Sequence, residues 1–284
     1  MSSSTPMVIT GATGALGGIV ARALDAEGIP LRLVVRPGST PPELPGSDVA
    51  YATYADGPAM RQAFEGADTV FFVSGREAQD RLQHHLSVVE AAAAAGVRRI
   101  VYTSFLAAAV DSTFTLGRDH YATEQAIRST GMDFTFLRDS LYLDVMPLAV
   151  WEDGVIRGPA GDGRVACVAR QDVADVAGAV LTGSGHEGQT YALTGPVAMT
   201  FTEIAAELSS LTGRPVRFEN ETLDEARASR AGFGAPDWEV EGWVSSYAAV
   251  AAGDLDVVSD DVPRLTGHPA RSLADVLASN DVGS

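Results

Sequence analysis

Three glycines at even spacing, Gly11, Gly14 and Gly17, separate a short apolar run from Met7 to Thr10 from a stretch in which Ile19, Val20, Ala23 and Leu24 recur at helical spacing. Strand, glycine turn and helix in that order make a nucleotide-binding turn. Gly11 permits the tight turn, Gly14 lets a pyrophosphate approach the backbone, and Gly17 lets the helix lie close on the strand, with its N-terminus facing the phosphate. The spacing is G-x-x-G-x-x-G rather than G-x-G-x-x-G, and glycine-rich turns also serve ordinary loops. The flanking strand and helix favour a dinucleotide site over a purely structural turn. Its expected contacts are Gly11, Thr13, Gly14, Ala15, Leu16 and Gly17.

The rest of the first half keeps the same rhythm. Strands are predicted over residues 31–36, 48–53, 69–74, 99–104 and 133–138, with helices over 58–64, 77–95 and 118–130 between them. Unbroken apolar runs such as Thr-Val-Phe-Phe-Val-Ser suit parallel strands covered on both faces. The fold class is therefore α/β, a Rossmann-type doubly wound parallel sheet over residues 1–140. Residues 141–284 are expected to form a smaller α+β substrate lobe, with helices over 172–181, 202–211 and 223–231 and short strands over 189–193 and 216–219. No Pro/Ser-rich linker separates the halves.

Arg36 falls at the carboxyl end of the second predicted strand. An acidic residue there binds a ribose 2′-hydroxyl, whereas arginine accommodates a 2′-phosphate, so the sequence favours NADP(H) over NAD(H). A solvated arginine at a strand end is the alternative. Ser74 and Gly75 end the fourth strand, and Thr103 and Ser104 the fifth, at the edge where cofactor crevices open.

All 20 basic residues counted as lysine plus arginine are arginines. Without lysine there is no Schiff base, no P-loop lysine and no Tyr-x-x-x-Lys pair, and Tyr121 is followed four residues later by Gln125. The formal charge of −17 disfavours nucleic acid and anionic membrane surfaces. One cysteine, Cys167, allows no internal disulfide or metal cluster and reads as a small packed residue; no metal site is expected. No leader or membrane-spanning window stands out, so a cytoplasmic protein is expected. A homodimer is compatible with the sequence, which leaves the oligomeric state open.

Several motifs together resemble the NmrA-like branch of the atypical short-chain dehydrogenases: Ile-Thr-Gly-Ala-Thr-Gly-Ala-Leu-Gly, Val-Val-Arg, Tyr-Thr-Ser-Phe at 102–105 and His-Tyr-Ala-Thr-Glu-Gln-Ala-Ile at 120–127. Phe-Leu-Arg-Asp at 136–139, Gln-Asp-Val-Ala at 171–174 and Tyr-Ala-Leu-Thr-Gly-Pro at 191–196 extend the likeness over nearly the whole chain. Within that branch the chain is most similar to NAD(P)H:quinone oxidoreductases and triphenylmethane dye reductases. The resemblance implies NADPH in the crevice and hydride transfer to a small aromatic or quinone-like acceptor. It equally admits a non-catalytic NADP(H)-binding redox sensor. His120 stands where the family's reductases carry lysine or histidine near the nicotinamide, and an imidazole titrating near neutrality can supply or relay a proton. A histidine packed beside the helix start is the other reading. Asp139 stands where the quinone reductases carry asparagine, replacing a neutral amide with an anion, and Tyr142 follows at a matching position. Phe105 and Tyr142 are expected in the apolar wall of the acceptor pocket. Trp238, with Trp151, Trp243 and Phe233, offers a flat acceptor surface, although aromatic residues also fill cores. The adjacent His84 and His85 diverge by about 100° on a helix and are expected at the surface or the cofactor edge.

Overall fold

The computed structural model describes residues 5–281. Its first elements are β1 (Met7–Thr10), α1 (Ala15–Ala26), β2 (Leu31–Val35), β3 (Ser47–Tyr51), α2 (Gly57–Phe64), β4 (Thr69–Phe72), α3 (Arg81–Ala94), β5 (Arg99–Phe105), α4 (Thr115–Ser129) and β6 (Asp133–Asp139). There follow β7 (Val155–Gly158), β8 (Arg164–Val165), α5 (Arg170–Thr182), β9 (Gln189–Leu193), β10 (Met199–Thr200), α6 (Phe201–Thr212) and β11 (Arg217–Asn220). The last are α7 (Leu223–Arg230), α8 (Asp237–Ala251), α9 (Asp261–Thr266) and α10 (Leu273–Asp281).

Among the described residues one seven-stranded sheet runs β3-β2-β1-β4-β5-β6-β9. β1 pairs in parallel with β2 and with β4, and β2–β3 and β4–β5 are parallel too. The chain runs from β1 outward to β3 on one side, then returns past β1 to β4 on the other, as in a Rossmann-type doubly wound sheet. The described residues form two compact units: residues 5–104, 119–137 and 173–191 in one, and 105–118, 138–172 and 192–281 in the other.

The first unit has a core in which Phe64, Phe72, Tyr102 and Phe136 are fully buried with Val8, Val70 and Ile100. Each such side chain contributes about 1.5–3 kcal/mol over an exposed one. The second unit has its own core around Phe201, Ile156, Ile204 and Leu208, and Cys167 lies in it with its thiol pushed up to about 12 by burial. Parallel β7 and β11, and antiparallel β8 and β10, form two small ribbons. No helix among the described residues is long and apolar enough to cross a membrane.

Three sequence expectations are corrected. β4 ends at Phe72 rather than Ser74, because side chains take up the backbone polar groups of the next residues. α3 begins at Arg81 rather than Glu77, and the Arg81 side chain reaches back to the Gly75 carbonyl, stabilising the intervening turn. Gln189–Leu193, read with the second half, is the seventh strand of the main sheet. The 15-residue α8 went unrecognised because Gly242 and alternating acids blur the apolar period of Asp-Trp-Glu-Val-Glu-Gly-Trp.

Candidate functional site

The glycine turn follows directly from β1. Gly11 has φ +61°, a left-handed conformation natural to glycine, and its carbonyl accepts the Gly14 N–H at 2.8 Å. A Cβ on Gly17 would stand 2.4 Å from the Gly11 carbonyl oxygen, so α1 packs on the turn more closely than any side chain permits. Thr13, Gly14 and Ala15 are exposed, while Leu16 and Gly17 are buried. Gly14 caps α1 without a side-chain hydrogen bond, and no acidic residue lies in the first helical turn. The N–H groups and the positive end of the helix dipole are thus open to an anion in a chain that is otherwise strongly acidic. This cradle fits a dinucleotide pyrophosphate.

Arg36 is the first residue beyond β2 and is exposed. A turn containing Gly38, with φ +81°, follows it, and the Ser39 N–H closes on the Arg36 carbonyl at 3.0 Å. At the end of β4 the Ser74 N–H donates to Thr103 Oγ1 at 2.7 Å, and both Thr103 and Ser104 are fully buried. The Ser104 hydroxyl donates to buried Glu124 at 2.6 Å, which commits that side chain to α4.

His120 is buried inside α4 and both its ring nitrogens are engaged. Arg81 donates to Nε2 at 2.9 Å, and Nδ1 lies 2.9 Å from the Tyr102 hydroxyl. A guanidinium can only donate, so Nε2 presents a lone pair and the neutral ring carries its hydrogen on Nδ1. His84 and His85 do diverge. His84 is half-exposed and pairs with Asp80 at 3.1 Å, but His85 is fully buried, which overturns the surface alternative for it. It accepts the Gly75 N–H at Nε2 (2.8 Å) and faces Thr123 Oγ1 from Nδ1 (3.0 Å). Burial, and then the nearby Arg81 charge, hold its pKa well below the usual histidine value. Sequence reasoning missed Arg81, and it singled out His85 without seeing that the ring is buried. A signal existed, because Arg81, His85, Val88 and Ala92 repeat at helical spacing on the buried stripe of α3.

In the second unit Phe105 packs edge-on against Phe114, their centroids 4.9 Å apart. The Tyr142 hydroxyl donates to the Asp139 carboxylate, and Arg170 lies over the Tyr142 ring at 5.1 Å. Burial and the Asp139 charge raise the Tyr142 hydroxyl well above the ordinary phenol range. The same unit carries an open cavity of about 1040 Å³ whose lining includes Met146, Leu148, Trp151, Phe233, Trp243 and Tyr247. Phe233 is the hinge of its aromatic side, 5.4 Å from Trp151 and 6.1 Å from Trp243 by centroid. Phe105, Asp139, Tyr142 and Trp238 lie outside that lining, and Trp238 sits half-buried on α8. A cavity of this size accommodates a multi-ring ligand, since small-molecule sites span roughly 300–1,000 Å³.

Residues 11–183 match the family described as NAD(P)H-binding. An NAD(P)H azoreductase of Xenophilus azovorans is 33% identical over 274 residues, covering 95% of this chain and 96% of the relative. A (4-alkanoyl-5-oxo-2,5-dihydrofuran-3-yl)methyl phosphate reductase of Streptomyces griseus is 38% identical over 274 residues, covering 95% of each. The structure of an NADPH-dependent quinone oxidoreductase of Escherichia coli, complexed with NADPH, superposes with a TM-score of 0.86 at 33% identity, covering 97% of this chain and 99% of that one. The chain belongs to the NAD(P)H-binding family and has the NmrA-like fold. It is an NAD(P)H-dependent reductase; its full-length likeness to reductases favours turnover over cofactor sensing.

Proposed function

We propose that the protein uses NADPH in preference to NADH and reduces a quinone-like or extended conjugated acceptor. The observation that carries the cofactor preference is Arg36: it is exposed beside the β2 terminus and makes no ion pair among the described residues. A 2′-phosphate is its natural counterion. Gly11, Thr13, Ala15, Leu16 and Gly17 hold the pyrophosphate through backbone N–H groups, Gly14, whose N–H is taken by the Gly11 carbonyl, lets it approach closely, and Ser74, Gly75, Thr103 and Ser104 border the crevice. When bound, the cofactor supplies the hydride.

On the acceptor side the supporting features are the aromatic cavity and the activities named for the relatives, which act on azo, quinone and unsaturated oxo-dihydrofuran compounds. All three are conjugated electrophiles. Trp151, Phe233 and Trp243 supply flat apolar faces, while Phe105, Trp238 and the Asp139–Tyr142 pair lie outside the lining and are not assigned to the acceptor. Much of the catalysis is attributed to positioning. His120 is the proposed relay for the proton that the reduced acceptor requires: with Arg81 on Nε2 the neutral ring has none to give, so the ring takes a proton from solvent when Arg81 releases Nε2 and passes one on as imidazolium, returning to the neutral form. The test is oxidation of NADPH and of NADH against a panel of benzoquinones, naphthoquinones and azo dyes, for the wild type and Arg36→Asp. Saturable turnover with an NADPH preference that reverses in the variant is expected. A variant still preferring NADPH would remove Arg36 from the choice, and silence across the panel in NADPH-binding protein would refute the acceptor class.

A further inference from the structure

The sheet order reverses between β1 and β4, so the crevice of a doubly wound fold opens beyond the carboxyl ends of these two strands. One lip is the glycine turn. The other is Val73–Gly75, and the lips touch: a Cβ on Gly11 would stand 3.3 Å from the Val73 Cβ. Val73–Gly75 lies beyond the end of β4, yet its backbone polar atoms are held by side chains. The Val73 N–H donates to Thr10 Oγ1 at 3.0 Å, and the Val73 carbonyl lies 2.7 Å from the Tyr54 hydroxyl, which is also 2.7 Å from Thr10 Oγ1. The Ser74 N–H is held by Thr103, as described. The Gly75 N–H donates to His85 and the Gly75 carbonyl accepts from Arg81 Nε at 2.9 Å.

We propose that Arg81 and His85 are positioning residues for the dinucleotide: one helical turn apart on α3, they grip both polar backbone atoms of Gly75 and set the β4 lip of the crevice in its binding shape. The proposal rests on the reading of the glycine turn as an NADP(H) site. Backbone ordered before the ligand arrives need not be ordered by it, which strengthens binding. The grip is itself braced. The Gly75 N–H can only donate, so His85 is neutral and its hydrogen sits on Nδ1 facing Thr123, whose hydroxyl donates to the Asp119 carbonyl at 2.7 Å. Arg81 spans the Gly75 carbonyl, His120 Nε2 and, at 3.5 Å, the Asp119 carboxylate. One guanidinium therefore ties the crevice lip to the proposed proton-handling residue.

The experiment titrates NADPH by its fluorescence and measures KM for NADPH and for a quinone separately, in the wild type, His85→Ala and His85→Gln. His85→Ala leaves the Gly75 N–H without its acceptor, a loss equivalent to about 10- to 100-fold in affinity. The expected result is an NADPH Kd and KM raised by that factor with the quinone KM unchanged. His85→Gln, whose amide oxygen can accept the same N–H, restores most of the affinity, which a merely structural role would not produce. A folded His85→Ala that binds NADPH like the wild type overturns the proposal, as does a folded His85→Gln no better than alanine. If His85→Ala does not fold, Tyr54→Phe frees the Val73 carbonyl while keeping the ring, with a rise in NADPH Kd of several-fold expected; no rise overturns the proposal. A wild type that binds no NADP(H) refutes the cofactor reading, and the inference with it. Wild-type binding with unaffected variants refutes the inference alone.

Discussion

The glycine crevice of the first unit and the aromatic cavity of the second are built on opposite plans. Around the crevice, polar backbone atoms are fixed by buried side chains: His85, Thr10 and Thr103 are 0–1% exposed. At the cavity, large apolar side chains are left partly in water, with Leu148 81% and Phe233 59% exposed. A site made of fixed backbone N–H groups and a helix end recognises one invariant chemical group. A site made of aromatic faces with few polar atoms imposes flatness and little else. If the crevice takes the cofactor and the cavity the acceptor, as proposed, the difference teaches that strictness toward one ligand and tolerance toward another can be built into differently constructed parts of one chain.

The sharpest way to break this contrast is Gly17→Ala. The added methyl falls 2.4 Å from the Gly11 carbonyl oxygen and must push α1 off the turn, at a cost of about 1–3 kcal/mol as for other overpacked positions. NADPH binding is expected to fall at least ~100-fold, since both the N–H groups and the dipole move from the anion. Parallel thermal melts and NADPH titrations check both figures; undiminished binding would mean that the glycine spacing does not define the crevice.

Trp243→Ala sharpens the comparison from the other side. Removing one face of the cavity is expected to raise the acceptor KM about tenfold, the value of one good aromatic contact. NADPH affinity should remain within about twofold. Steady-state kinetics with each substrate varied in turn checks this, and a matched loss of NADPH affinity would show that the two sites are not independent.

The smallest effect is a pH slope confined to the crevice. The His85 pKa is depressed in the folded state, whereas the unfolded ring keeps a value near 6.5. The unfolded chain therefore binds more protons as pH falls through 6.5, and the stabilisation is complete above that value and lost progressively below it. The slope is at most about 1.4 kcal/mol per pH unit. The charged and titratable groups facing the ring are Arg81 and His84 on α3, Tyr102 on β5, and Asp119 and His120 on α4. Urea unfolding between pH 7.5 and 5 should show a steeper decline in the wild type than in His85→Gln; equal slopes would deny the neutral, buried histidine.

Much of the crevice was legible because its determinants are local. Strand, glycine and helix lie within about twenty residues, and the requirement for no Cβ at Gly17 is written in the residue itself. The position of Arg36 was legible for the same reason, as the residue immediately after β2. The cavity was half legible. Trp151, Phe233 and Trp243 were singled out as a group and do line it, but nothing in the spacing of Trp238 told that it stays outside. His120 was named for its titration range, and only its neighbours reveal that Arg81 occupies one nitrogen and Tyr102 faces the other.

By itself the sequence determined the α/β rhythm, the glycine turn between β1 and α1 and the absence of lysine chemistry, since each depends on residue type and short-range spacing. Tertiary structure decided which polar side chains face inward and what they hold. Arg81 reaches Asp119 and His120 across about forty residues, and His85 reaches Thr123 over a similar span. The physical reason is that a buried hydrogen bond depends on distance and direction in space, and the chain sets these only once α3, α4 and the sheet have packed.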